Sequence, residues 1–117
     1  IPCSTSDIFP TLLNITKTRS PQPKRPIDGI NLLPLFEKKM KRRPEPIGFR
    51  FRGHSVLIDN NYKFHVNKGK EGLYDLSNDA GESTDVASSQ GSRVAAMRKT
   101  LSAWRDSVDK SKSGADY

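Results

Sequence analysis

All eight prolines of this 117-residue chain lie within its first 46 positions. Each proline fixes φ and removes a backbone donor, so a segment this rich in proline cannot form one long helix or a central strand. The sequence therefore predicts an extended, irregular N-terminal part and leaves residues 47–117 for a regular sheet and a long helix. The length allows one small domain.

The basic residues are concentrated in the same region. The chain has a net charge of +7, and residues 17–43 hold nine basic against two acidic residues, which accounts for the whole excess. We predict a basic, Pro-rich connector over residues 17–46. A solvated loop is one interpretation of the stretch, and a surface that contacts nucleic acid or another polyanion is the other. The connector lacks the alternating aromatic residues of a groove for single-stranded nucleic acid.

Composition excludes two classes of protein. Cys3 is the single cysteine, so the chain cannot be an internal disulfide scaffold. No apolar run approaches the roughly 18 residues that span a bilayer, so a transmembrane segment is not expected. The chain begins at Ile1 without a signal-peptide pattern, which indicates either processing or a piece of something longer.

Two apolar segments interrupt the Pro-rich part. A short helix is predicted over residues 6–15, with Ser6 as its N-cap and Asp7 where the helix dipole favours a carboxylate. Because an isolated helix of this length is marginal, we expect its broad apolar face to pack on another part of the protein. Residues 30–37 form the second segment, which we expect to anchor the connector to a core through four residues: Leu32, Leu33, Leu35 and Phe36.

Residues 47–76 predict four strands. Ile47, Phe49 and Phe51 alternate with glycine and arginine, which is the period of a half-buried strand. Three more strands are predicted at 55–58, 62–67 and 73–76, separated by turns. Because three turns link neighbouring strands, an antiparallel meander is the expected assembly.

A long helix is predicted from Ser92 onward. Its apolar residues are spaced 3, 4, 3 and 4 apart, and they are Val94, Met97, Leu101, Trp104 and Val108. Such a stripe favours a core face over a cofactor or partner site. The fold class expected is therefore α+β, with the helix packed on the four-stranded sheet. The predicted units are the end of a preceding domain at 1–16, the connector at 17–46, the sheet and helix at 47–109, and a flexible tail at 110–117.

The residues form no complete catalytic or metal site. Cys3 has no neighbouring base in the sequence, which favours an incidental thiol. His54 and His65 are eleven residues apart and lack cysteine partners, so no zinc site is predicted. His65 is expected on the polar sheet face, and His54 either in a solvated turn or in contact with a ligand. The acidic run that follows the last strand does not have the spacing of a calcium loop.

Four segments together resemble the type I sulfatases, the formylglycine-dependent arylsulfatase-like family. Thr5–Leu13 resembles the family's D-x-x-P-T-L-L segment, and Asp28–Leu35 resembles its D-G-x-S-L-L-P-L stretch. Tyr62–Phe64 resembles the Y-K-L strand, and Leu73–Glu82 resembles the L-Y-D-L-x-x-D-P-G-E signature. The segments occur in the family's order and cover most of the chain. The last residues are similar to those of many bacterial sulfatases.

The resemblance implies the C-terminal subdomain of an alkaline-phosphatase-like sulfatase fold. In the family, a cysteine in C-x-P-x-R or C-x-A-x-R is converted to formylglycine, and a calcium ion assists it. Both lie upstream of the matched part, and Thr5 and Asp7 exclude Cys3 from that motif. The resemblance therefore implies an intact hydrolase of sulfate esters on a carbohydrate, exported (periplasmic or extracellular) or lysosomal. It implies that this chain alone has no activity. The expected partner is the missing catalytic domain, and no nucleic acid or membrane partner is expected.

Cationic groups at one end of the sheet suit a sulfated sugar. On this ground the predicted substrate-binding residues are Arg50, Arg52, His54 and Lys63. No catalytic and no metal-binding residue is predicted. Two alternatives stay open: a stand-alone basic module that binds nucleic acid or a sulfated polymer, and a remnant that no longer folds by itself.

Overall fold

The computed structural model describes residues 1–19 and 27–114. The elements are α1 (Ile8–Ile15), α2 (Leu33–Phe36), β1 (Ile47–Phe51), β2 (His54–Asp59), β3 (Tyr62–Asn67), β4 (Lys70–Asp75) and α3 (Gly91–Lys112). This confirms the α+β class. Residues 20–26 of the predicted connector and 115–117 of the predicted tail lie outside the described residues. The first part of that tail is helical, because α3 continues to Lys112. No helix in the described part of the chain is both long and apolar enough to cross a membrane.

The sheet is an antiparallel meander in the order β1-β2-β3-β4, as the turns predict. All three hairpins close with two-residue turns: Arg52–Gly53, Asn60–Asn61 and Lys68–Gly69. Both residues of the first turn and both residues of the last turn have positive φ values. Two successive positive φ angles match the right-handed twist of the flanking strands, which is why glycine stands second in both turns.

Helix α3 covers one face of the sheet and builds the core with it. The sheet contributes Leu57, Phe64 and Leu73, which lie side by side on neighbouring strands. The helix contributes Val94, Met97 and Leu101, and this confirms the predicted stripe as a core face. Burial of each large side chain contributes about 1.5–3 kcal/mol, so this cluster is the main source of stability in the sheet and helix.

The face of β1 that packs on α3 is the one with glycine and arginine. Residues directly opposite each other in an antiparallel pair share a face, and Gly48 lies opposite the core residue Leu57. Phe49 and Phe51 therefore lie on the other face, 48% and 68% exposed. The alternation predicted the strand correctly but not which face is covered. The ring of Trp104 occupies the space above Gly48, where a Cβ atom would overlap it.

The apolar segment at 30–37 does not reach the core, so this prediction is wrong. Helix α2 lies beside α1 rather than on the sheet, and none of its residues is buried. Phe36 is 66% exposed. The connector is anchored instead by polar contacts at Asp7, Thr11 and Arg43, because a four-residue helix offers too little apolar surface to dock by itself.

Candidate functional site

A buried ion pair joins the N-terminal turn to the end of the connector. The two carboxylate oxygens of Asp7 accept hydrogen bonds from Nη1 and Nη2 of Arg43, at 2.8 and 2.9 Å. The backbone N–H groups of Ser4 and Ile30 also donate to this carboxylate. Asp7 is 0% and Arg43 5% exposed. The hydrogen bond from Arg43, helped by those from Ile30 and Ser4, lowers the pKa of Asp7 to about 2 against the opposing effect of burial.

The structure adds to one expectation for this region and corrects two. Besides its position in the first turn, where the helix dipole favours a carboxylate, Asp7 accepts hydrogen bonds from four donors. Arg43 is not part of a solvated loop, since Asp7 holds it in the interior. Ser6 is not the N-cap: it lies inside a short 3₁₀ turn, Thr5–Asp7, that precedes α1 and begins after Ser4.

Two of the family-like segments are joined directly. The Thr11 hydroxyl donates to the carbonyl of Asp7 at 2.6 Å and accepts from the N–H of Leu32 at 2.9 Å. Gly29 lies against the backbone carbonyl of Ser6, which a Cβ atom at that position would overlap. The aspartate and threonine of one segment and the glycine of the other therefore form a single polar junction.

The backbone of Arg43 is tied to the sheet. Its N–H donates to Oδ1 of Asn60 at 2.8 Å, and Nδ2 of Asn60 donates back to its carbonyl at 3.2 Å. Asn60 lies at the tip of the β2–β3 hairpin with φ of 51°, a conformation that asparagine tolerates better than most residues. This reciprocal pair holds the residues before Arg43 against the hairpin.

A cleft of about 460 Å³ opens beside this contact. We call it the cationic cleft, and its lining residues are Ile1, Lys41, Arg42, Asp59, Asn60, Asn61, Tyr62 and Arg93. The Arg93 guanidinium lies 3.8 Å from the centre of the Tyr62 ring, a close cation–π contact. Among the described residues, neither Lys41 nor Arg42 has an ion-pair partner. Sequence reasoning missed this site because Arg93 is about fifty positions from the basic connector.

The predicted substrate-binding residues do not converge on one site. Arg50 faces α3 and pairs with Asp109 at 2.6 Å. Arg52 occupies the β1–β2 turn, with its guanidinium 5.1 Å from the centre of the Phe51 ring. Lys63 lies on the sheet face opposite α3 and donates to both carboxylate oxygens of Glu82 at 2.6 Å. Their role in substrate contact stays a prediction.

His54, the fourth predicted residue, begins β2 instead of sitting in a solvated turn. Its ring stacks on that of His65, with centroids 5.4 Å apart and planes inclined by 9°. Nδ1 of His54 and Nε2 of His65 are 3.2 Å apart, so one ring donates and the other accepts. Burial, followed by the charges of His54 and Lys63, lowers the pKa of His65.

The described residues do not fit a calcium site. Within 1–19 and 27–114, no three His, Cys, Asp or Glu side chains come together closely enough to hold a metal ion. Cys3 is exposed, and its thiol donates to the carbonyl of Ile1 at 3.6 Å.

Solved structures share this fold. Ps i-CgsB is 27% identical with a TM-score of 0.77, over 88% of this chain and 24% of its own, and it has also been solved in complex with k-i-k-neocarrahexaose. BT1596, a 2-O GAG sulfatase, is 22% identical with a TM-score of 0.65, over 92% of this chain and 26% of its own. The chain resembles the C-terminal part of a sulfatase. Comparisons of the sequence with protein-family profiles and with curated proteins give no match.

The sulfatase-like fold also occurs in a hydrolase of another ester class. The phosphonate monoester hydrolase of Agrobacterium radiobacter is 24% identical with a TM-score of 0.61, over 90% of this chain and 25% of its own. At such identity the likeness shows the fold alone. The chain spans about a quarter of the length of each of these proteins.

The sulfatase-like sequence segments contact one another in pairs. The segments of Asp7 and of Gly29 meet at the polar junction, and the strand with Lys63 meets the last segment at Glu82. Glu82 has φ of 55°, directly after the glycine of its segment. Through these contacts the residues of the four segments hold elements of the chain together.

Proposed function

We propose that this chain is the C-terminal part of a sulfatase that hydrolyses sulfate esters of a sulfated carbohydrate. The observation that carries the proposal is the likeness to Ps i-CgsB, at 27% identity over 88% of the chain. The complex of that protein with k-i-k-neocarrahexaose supports a carbohydrate substrate. A carbohydrate also suits the basic character of the chain, because sulfate groups carry negative charge at all physiological pH values.

In this proposal the chain supplies no catalytic group. The formylglycine and the calcium ion are contributed by the catalytic domain, and the chain stabilises that domain and shapes its substrate cleft. Helix α1 is the proposed contact, because its apolar residues are about half exposed: Ile8 55%, Phe9 47%, Leu12 53% and Ile15 53%. An apolar patch of this kind on a short helix is typical of a surface covered by another domain. We expect the intact enzyme to be exported or lysosomal.

The test is to express the chain together with the reading frame that precedes it. We expect that frame to encode C-x-[PA]-x-R, and the longer protein to release inorganic sulfate from a sulfated oligosaccharide. Replacing the cysteine of that motif with alanine is the control and should abolish release. A longer protein that cleaves phosphonate monoesters and no sulfate ester would contradict the proposal.

The purified 117-residue chain should not hydrolyse an aryl sulfate ester, because its single cysteine, Cys3, lacks the C-x-[PA]-x-R context of the formylglycine motif. The measurement is the release of the phenol, followed by absorbance over hours at micromolar protein. Turnover by the chain alone that survives Cys3→Ala would overturn the assignment of catalysis to another domain.

A further inference from the structure

We propose that the cationic cleft is a binding site for a sulfated sugar unit of a carbohydrate. This inference deepens the proposed function and rests on it. The cleft lies outside the four positions that the sequence predicts for substrate binding. The connector, the β2–β3 hairpin and helix α3 all contribute to it.

The charge of the cleft favours an anion. Lys41, Arg42 and Arg93 contribute three positive charges against the single carboxylate of Asp59. That carboxylate accepts a hydrogen bond from Nδ2 of Asn60 at 2.8 Å. Elsewhere on the sheet and helix, cations such as Arg50, Lys63 and Arg98 are matched by carboxylates. In the cleft the positive charge is left for a ligand to neutralise.

The cleft is anchored at two points before any ligand arrives: at Arg43, next to Lys41 and Arg42, and at Arg93. Lys41 and Arg42 immediately precede Arg43, whose side chain is locked by Asp7 and whose backbone is locked by Asn60. Arg93 is supported from below by the ring of Tyr62. Binding is stronger when fewer groups have to be ordered on association, so this anchoring adds affinity beyond the charge count.

The remaining lining residues suit a sugar better than a bare anion. The Tyr62–Arg93 stack offers a flat surface, and a guanidinium group can donate two parallel N–H hydrogen bonds to two oxygens of one sulfate group. The side chain of Asn61 is exposed and makes no hydrogen bond with the described residues, so its amide is available to sugar hydroxyl groups. The chemical class that matches both features is a sulfated oligosaccharide.

The test compares two variants with the same loss of charge. K41Q/R42Q removes two cations from the cleft, and K70Q/K99Q removes two exposed cations outside it. Binding of neocarrahexaose to the full chain is measured by calorimetry across a salt series. We expect K41Q/R42Q to lose at least tenfold in affinity with a shallower salt dependence, and K70Q/K99Q to change by less than twofold.

Three results would overturn the inference. The first is equal loss in the two variants, which would indicate diffuse attraction to the overall charge. The second is equal affinity for an unsulfated hexasaccharide of the same backbone. The third is tighter binding of a single-stranded DNA oligonucleotide of matched charge, which would assign the cleft to nucleic acid. Circular dichroism melts of each variant establish folding, and R93Q serves as the second cleft variant if the first does not fold.

The inference and the proposed function fail separately. If the longer protein releases sulfate while K41Q/R42Q binds the hexasaccharide normally, only the proposal for the cleft fails. If the cleft binds the sulfated hexasaccharide but the longer protein releases no sulfate, only the enzymatic proposal fails.

Discussion

At the scale of single residues, polar contacts perform the docking that apolar residues perform in the sheet. Asp7 is fully buried and satisfied by four donors, and Thr11 is both donor and acceptor in the same junction. A buried charge that loses its partner strongly destabilises the folded state, so the loss of one partner should disrupt the whole junction. This makes Asp7 the most sensitive single position of the N-terminal part.

We predict that Asp7→Asn loosens the N-terminal part without unfolding the core. The Arg43 guanidinium would lose its charged partner inside the protein, at a cost of about 3–5 kcal/mol. Hydrogen exchange at the N–H groups of Ile30 and Leu32 should quicken by about 100-fold or more. Glu37→Gln, at the exposed pair with Lys39, is the matched control and should leave exchange unchanged. Equal exchange in Asp7→Asn and in the unmodified chain would refute the role given to the pair.

The same junction should respond to acid. The pKa of Asp7 falls from its ordinary 3.8 to about 2 in the folded chain. A lowered carboxyl pKa stabilises the protein fully above the unfolded value and loses this effect as pH falls from about 4 to about 2. The loss amounts to about 2 kcal/mol. The protection factors of the Ile30 and Leu32 N–H groups, which correct for the intrinsic pH dependence of exchange, should fall through this window in the unmodified chain and stay flatter in Asp7→Asn.

Gly48 is required by the tryptophan that lies on it. We predict that Gly48→Ala costs about 1–3 kcal/mol, because the added Cβ would overlap the Trp104 ring and displace it. Since Trp104 is the single tryptophan, its fluorescence reports the displacement together with the melting temperature. Gly91→Ala is the control: a Cβ there meets open space at the start of α3, and stability should stay equal or rise slightly. Identical emission and melting in the two variants would contradict the packing argument.

At the scale of elements, β1 and α1 show that an apolar pattern does not determine which other element packs on it. Both carry the periodicity of amphipathic elements, yet both expose apolar residues in this chain. For β1 the covered face is set by two residues of α3, far along the sequence: Trp104 packs on Gly48, and Asp109 pairs with Arg50. For α1 we propose that the cover is the catalytic domain.

Helix α1 therefore gives a prediction that depends on chain length. Leu12→Gln should leave the melting temperature of the 117-residue chain unchanged, because this side chain is 53% exposed in it. In the longer protein the same change should lower the melting temperature, since a buried amide without partners costs about 1–3 kcal/mol. Lys17→Gln, just beyond the helix, is the control in both proteins. Equal effects of Leu12→Gln in the two proteins would remove α1 as the docking element.

At the scale of the whole molecule, the core and the N-terminal part are stabilised by different sets of contacts. Every member of the buried core cluster lies between positions 57 and 101, and none belongs to the first 46 residues. The N-terminal part is joined to the sheet through Arg43 and its neighbours. The two parts should therefore respond differently to truncation.

We predict that residues 46–114 fold without the N-terminal part. The shortened chain should keep its helical circular dichroism and melt cooperatively, because the core cluster is intact. Phe64→Ala in the same piece is the control, expected to cost about 3–5 kcal/mol and to remove the cooperative melt. A shortened chain without cooperative melting would show that the polar junction is part of the core's own stability.

The sequence by itself determined the elements, the meander and the core stripe of α3, and its segments indicated a sulfatase resemblance. These depend on local spacing: strand alternation, turn residues between the strands, and apolar residues three and four apart. Only the tertiary structure decided which face of β1 is covered, the burial of Asp7 with Arg43, and the cationic cleft. Each of these joins residues that are tens of positions apart, and the free energy of such contacts depends on packing and desolvation that no local pattern encodes.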